Sequence, residues 1–140
     1  MKKLVILLAV IISLSSRGQK YTSDSTTVCP IVPGIDCQKY ANETKLTFSP
    51  STSPTQLEVY FPRTRTTAII ILHGDPKTKV INDSTNMVFY AGEDSQEAGY
   101  MLTVGIKIVK RDIIGISVQD EDELVIFSIK KDEPDNTRTK

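Results

Sequence analysis

The chain carries one histidine in 140 residues. His73 stands where an apolar run, Ala68-Ile69-Ile70-Ile71-Leu72, meets the turn signal Gly74-Asp75-Pro76. A histidine two residues from Asp75 has the makings of a general base with an orienting acid, but that chemistry also needs a nucleophile within reach. No Gly-x-Ser-x-Gly elbow is present, and a cysteine nucleophile requires a free thiolate. The simpler role is a turn histidine bonded to nearby backbone. No enzymatic activity is expected.

Asp120-Glu121-Asp122-Glu123 is the densest acidic stretch between apolar runs. Calcium takes several carboxylate oxygens, which makes Asp120, Asp122 and Glu123 candidate ligands, with Asp83, Glu93 and Asp94 available from other loops. Four consecutive carboxylates cannot all face one ion, and the glycine-containing EF-hand loop is missing. A solvated acidic turn accounts for them, and no cofactor is expected. Arg63 and Arg65 alternate; in an extended segment both project to one side and could hold a carboxylate or sulfate as a pair. Alternating charge on an exposed edge strand accounts for them equally. Tyr60, Phe61, Phe89, Tyr90 and Tyr100 are candidates for a sugar-stacking platform. With no tryptophan and 6% aromatics, most of them are expected in or near the core.

Met1-Lys2-Lys3 followed by Leu4–Ile12, and then Ser13, Ser15, Ser16 and Gly18, has the charged, apolar and small-residue parts of a secretory leader. Its apolar part is short for a membrane span. Cleavage after Ser15 or after Gly18 fits the small-residue rule, the second exposing Gln19, and residues 1–18 are assigned to the leader. The product is expected to be secreted or periplasmic and to have no remaining span. Cys29 and Cys37 are the two cysteines. An even number in an exported chain points to a disulfide. Two cysteines and one histidine do not complete a tetrahedral metal site, and the spacing is not Cys-x-x-Cys. Closing so short a loop contributes about 2–3 kcal/mol in the chain-entropy view.

The whole chain has 17 basic and 17 acidic residues. Losing Lys2, Lys3 and Arg17 with the leader leaves a net charge of about −3. Mild acidity without a basic cluster argues against nucleic acid.

What must position these residues is a set of short strands. Residues 19–38 read as a flexible, Ser/Thr-rich terminus carrying the disulfide loop, and 39–131 as the globular domain. Lys45–Phe48, Gln56–Phe61, the Ala68–Leu72 run, Lys77–Ile81, Met87–Tyr90, Tyr100–Val109 and Leu124–Ile129 are the strands. The Ala68–Leu72 run is expected to be buried on both faces. Lys77 and Lys79 are expected to guard an edge. Residues 110–118 are open between helix and strand, and 132–140 read as a disordered charged tail. About seven strands at 8–12-residue spacing, with no long amphipathic helix, predict a small all-β antiparallel β-sandwich.

Residues 66–131, with a central strand, polar hairpins, a segment like Tyr100–Val109 and a final strand like Leu124–Ile129 before a charged end, resemble small uncharacterised secreted β-sandwich proteins of the Bacteroidetes phylum. The Lys-Lys leader ending before Gln19 is similar to exported proteins of that group. The resemblance implies a β fold and export, and no activity. In a bacterial chain the sequons Asn42-Glu43-Thr44 and Asn82-Asp83-Ser84 are incidental. The expected function is surface recognition by protein–protein interaction, with an envelope or extracellular protein or a second copy as partner, in the manner of an accessory subunit of a cell-envelope assembly. The alternative is a calcium- or glycan-dependent adhesion module using the acidic turn.

Overall fold

A computed structural model describes residues 19–50 and 54–130. The chain forms nine strands and no helix among these residues: β1 (Gln19–Pro30), β2 (Gln38–Tyr40), β3 (Thr44–Ser49), β4 (Gln56–Phe61), β5 (Thr66–Val80), β6 (Thr85–Asp94), β7 (Met101–Val109), β8 (Asp112–Gln119) and β9 (Glu123–Ile129). Every pairing is antiparallel, and from β3 to β9 each strand pairs with the next in sequence. β1 then joins the two ends. Gln19–Ser23 pairs with β3, and Ser23–Pro30 pairs with β9, from Ser23 opposite Ile129 to Pro30 opposite Glu123. The result is a closed eight-stranded up-and-down barrel. The short β2 pairs with Thr26–Val28 on the side where β3 pairs with the start of β1. Together β2 and β3 form one return strand interrupted at Ala41-Asn42-Glu43.

Side chains alternate between the two faces of a strand, so the pairing carries apolar residues in rows around the inner wall. One row runs Val88, Ile106, Ile116, Phe127; another runs Tyr90, Val104, Val118, Val125, Val28. On the opposite wall Leu46 faces Val59, and Phe48 faces Leu57, which in turn faces Ile70. Apart from Val28, these residues belong to the single core that fills the barrel. Each buried Leu, Ile, Val or Phe contributes about 1.5–3 kcal/mol by leaving water. Tyr21 packs edge-on to Phe48 at 6.3 Å, and Phe61 lies 6.3 Å from Phe127. Gly92 faces the interior where a Cβ would come within 2.8 Å of Ile70 Cγ2, so the close approach of β5 and β6 depends on it.

Several expectations change. The all-β antiparallel class holds, but the two-layer sandwich gives way to a closed barrel, because the first and last strands pair and leave no second sheet. Residues 19–28 are not a flexible terminus but most of β1. Their Thr and Val side chains are β-branched and suit a pleated strand although the composition is polar. The Ala68–Leu72 run is buried on one face only: Ile70 and Leu72 point inward while Ile71 is 41% exposed, since the outer wall of a barrel meets water. Gly74-Asp75-Pro76 does not end that strand. It forms an irregularity between His73 and Lys77, with Gly74 at a φ of 72°, and β5 runs on to Val80. Bulges are where strands tolerate both Gly and Pro. Beyond Val109, Lys110 and Arg111 make a two-residue turn with φ of 50° and 72°, which resolves 110–118 as turn plus β8.

Barrel closure also removes the exposed edges that strand addition would use. What remains among the described residues is the outer side of the three-residue β2, which pairs only with β1, and the stretch of β5 beyond Leu72, which has β6 on one side and no strand on the other. Lys77 and Lys79 sit on this β5 stretch as expected, exposed and alternating. The expected leader at 1–18 and the expected disordered tail at 132–140 lie outside the described residues.

Candidate functional site

An up-and-down barrel sends alternate connections to opposite rims. One rim collects the β1–β2 loop, the β2–β3 interruption, the β4–β5 turn at 62–65, the β6–β7 loop at 95–100 and the β8–β9 turn at 120–122. Arg63, Arg65, the acidic turn and the cysteine pair therefore share a rim, although nothing in their spacing announces it.

Cys29 and Cys37 form a disulfide, Cα to Cα 4.2 Å, at the end of β1 and just before β2. It closes the β1–β2 hairpin around a loop whose aliphatic side chains Ile31, Val32 and Ile35 are 45%, 53% and 56% exposed. Ile31 N donates to Asp122 O at 2.8 Å, which ties this loop to the acidic turn. The turn is organised by its first residue. Asp120 Oδ1 accepts from the backbone N–H groups of Asp122 (2.7 Å) and Glu123 (2.8 Å), and Asp120 Oδ2 accepts from the Tyr100 hydroxyl. These bonds, the Tyr100 one foremost, hold the Asp120 carboxyl below the usual value. The same Asp120 bond, followed by burial and the surrounding carboxylates, pushes the Tyr100 hydroxyl up to about 12.

Of the calcium candidates, Asp120 thus spends both oxygens on the fold, while Asp122 and Glu123 project into solvent. Among the described residues no group of three or more His, Cys, Asp or Glu side chains is placed to hold a metal. Asp83 belongs to the opposite rim, in the β5–β6 turn. Glu93 has another role. Its Oε2 lies 3.2 Å from His73 Nε2 across the outer wall, and its Oε1 accepts from Gly99 N at 2.6 Å. The Gly99 bond first, and then His73, hold its carboxyl below the usual value. The acid beside His73 is therefore Glu93 from the next strand, not Asp75, and the pair is half open to solvent on a convex wall rather than in a cavity. No hydroxyl or thiol nucleophile hydrogen-bonds to this pair among the described residues.

Arg63 and Arg65 are not on an edge strand. They lie in the β4–β5 turn, with Arg65 in the left-handed region at a φ of 54°. Arg63 lines an open cleft against Lys39, Tyr40 and Asn42 at the β2–β3 interruption. The aromatic platform is dispersed by strand alternation: Phe61 packs inward on Phe127 while Tyr60 faces out, and the Phe89 ring covers Gly105 on the outer wall while Tyr90 joins the inner row. Of the sequons, Thr44 is fully buried, and Asn82 Oδ1 accepts from Ser84 N in a local turn.

Sequence reasoning missed the exposed aliphatics of the disulfide loop and the Lys39–Asn42 wall of the cleft. The first had a signal: three aliphatic residues in a loop closed by cysteines eight positions apart have no room to be buried among themselves. The second depends on pairing between distant strands and had none. Among the described residues no helix is long and apolar enough to cross a membrane. No protein-family model, curated protein or solved structure matches this chain.

Proposed function

We propose that the protein is a non-catalytic, exported barrel that works by binding another protein of the cell envelope or extracellular space, as an accessory subunit of an assembly. The observation that carries this reading is the disulfide loop, which presents Ile31, Val32 and Ile35 to solvent on a closed, pre-formed turn. Exposed aliphatics gathered in one place are a mark of an interaction surface. The disulfide limits the ordering cost of binding, so more of the burial energy appears as affinity. The bond itself suits an oxidising compartment.

The test is an affinity pull-down of the C-terminally tagged full-length chain, expressed with its leader, from solubilised envelope of its own host. A stoichiometric partner is expected, and Val32→Asp with Ile35→Asp is expected to lose it while the melting temperature stays unchanged, because both side chains already face water. A partner retained by that double variant would refute the loop as the contact. An empty pull-down with a clean monomer in light scattering would refute the protein-binding reading, a second copy included.

A further inference from the structure

The rim that carries the disulfide loop concentrates apolar side chains in water. Ile31, Val32 and Ile35 lie on the β1 side of the acidic turn at 120–122, and Tyr100 and Met101, 37% and 56% exposed, lie on its β7 side. Both flanks are fastened to the turn itself. Ile31 N donates to Asp122 O, and the Tyr100 hydroxyl donates to Asp120 Oδ2. Five of the ten large apolar side chains exposed among the described residues thus gather around one turn. Apolar surface gathered in this way marks a contact rather than chance exposure.

Between the flanks runs a ridge of negative charge. Glu121, Asp122 and Glu123 are exposed along it, and Asp36 and Glu97 are exposed in the adjoining loops. Among the described residues no lysine or arginine forms an ion pair with any of these carboxylates. The cations of this rim, Lys39, Arg63 and Arg65, belong to β2 and the β4–β5 turn instead. A cleft of about 470 Å³ opens between the β6–β7 loop and the acidic turn, lined among others by Tyr100, Met101, Gln119, Glu121 and Asp122. The negative charge reaches into it. The Tyr100 hydroxyl is pushed up to about 12 by its bond to Asp120 first, then by burial and the charges of Asp120, Asp122 and Glu97.

The occupant must cover apolar flanks and neutralise the ridge between them. An anionic membrane surface would be repelled by the ridge. A second copy docked about this turn by a twofold axis would set carboxylate against carboxylate. We propose that this rim receives a segment of a partner protein in which a lysine or arginine stands between apolar residues. The cationic head meets Glu121 and Asp122, its stem lies along Met101, and the Tyr100 ring offers the head its face. The apolar neighbours of that residue cover Ile31, Val32 and Ile35. This inference rests on the protein-binding reading of the disulfide loop and names the chemistry of what binds there.

The full-length chain, expressed with its leader in an exporting host, is titrated into a dye-labelled peptide, Leu-Val-Lys-Leu-Arg-Val-Leu, and followed by fluorescence anisotropy. Two counterparts carry serine or glutamate in place of the lysine and arginine. The basic peptide is expected to bind, the serine form about fivefold more weakly or worse, and the glutamate form least, since two solvent-facing charge pairs separate them. Glu121→Gln with Asp122→Asn is expected to bring the basic peptide down to the serine form, with the melting temperature unchanged because both side chains face water. Val32→Ser with Ile35→Ser is expected to weaken the basic and serine forms alike. A basic peptide that binds no better than the serine form, or that ignores Glu121→Gln with Asp122→Asn, overturns the charge assignment and leaves the loop reading standing. Binding indifferent to Val32→Ser with Ile35→Ser sinks the loop reading and this inference with it. Folded protein that binds none of the peptides overturns the inference alone, because the loop reading is judged by the envelope pull-down.

Discussion

Lys110 and Arg111 both adopt positive φ, in a two-residue hairpin turn closed by Val109 opposite Asp112. This backbone favours Asn-Gly, and a non-glycine residue in the left-handed region costs roughly 1 kcal/mol or more. Replacing the pair by Lys110→Asn and Arg111→Gly is expected to raise stability by about 1–2 kcal/mol, read as a higher denaturant midpoint with an unchanged slope. The substitution of ordinary turn residues by Lys-Arg is also why residues 110–118 were ambiguous in sequence: the strongest local hairpin signal is absent, and only cross-strand register reveals the turn. At the rim, Tyr100 and Asp120 couple to pH in opposite directions. Tyr100 is raised from 10.0 to about 12, so the stability it contributes is complete below pH 10 and is lost as pH rises toward 12. Asp120 and Glu93 are lowered, so theirs is complete above the ordinary carboxylate range and is lost as pH falls below it. Ultraviolet titration should show one tyrosine ionising near 12 that disappears in Tyr100→Phe; a Tyr100 that ionises near 10 would refute the bond to Asp120.

Among the elements, β3, β4 and β7 were legible by alternation, and β9 and the first half of β5 as continuous β-prone apolar runs; the core residues they supply are Leu, Ile, Val and Phe. β1 was not legible. Its inward positions include Ser23 and Thr26, so the inner face carries little apolar contrast. Its strand state comes from neighbours on both sides rather than from its own pattern. The long β5 was legible in two pieces, because Gly74 and Pro76 punctuate sequence far more strongly than they interrupt the ladder. The loop between β1 and β2 is held by a covalent bond more than by packing. Cys29→Ser with Cys37→Ser is expected to cost about 2–3 kcal/mol and to raise amide exchange in residues 31–37. Unchanged exchange there would mean that the Ile31 bond to Asp122, not the disulfide, fixes the loop.

For the molecule as a whole, the class was readable and the closure was not. Strand spacing and the lack of helix settle an antiparallel β fold, whereas sandwich and barrel differ by whether the first and last strands meet. That meeting is the pairing of β1 with β9, across roughly a hundred residues of chain. If closure holds the barrel together, deleting Gln19–Asp24 should uncover the paired edge of β3 and the Phe48 face beneath Tyr21. The expected result is a melting temperature lower by 10 °C or more (about 2 kcal/mol at this size), or loss of a cooperative transition in circular dichroism. The same melting temperature would show that β3–β9 stand as an open sheet.

The sharing of β1 between β3 and β9 has a consequence in time. If the chain is exported as proposed, threaded through a membrane from its N-terminus, it delivers β1 first, and β9, its main partner, last. No prefix of the sequence can complete the ring, so the β9-facing border of β1 and the outer border of the newest strand stay open until nearly the whole length has crossed. Premature pairing with another chain during that wait, rather than unfolding afterward, is the hazard this architecture carries. It predicts a need for a holding factor at the exit side that the finished protein no longer has.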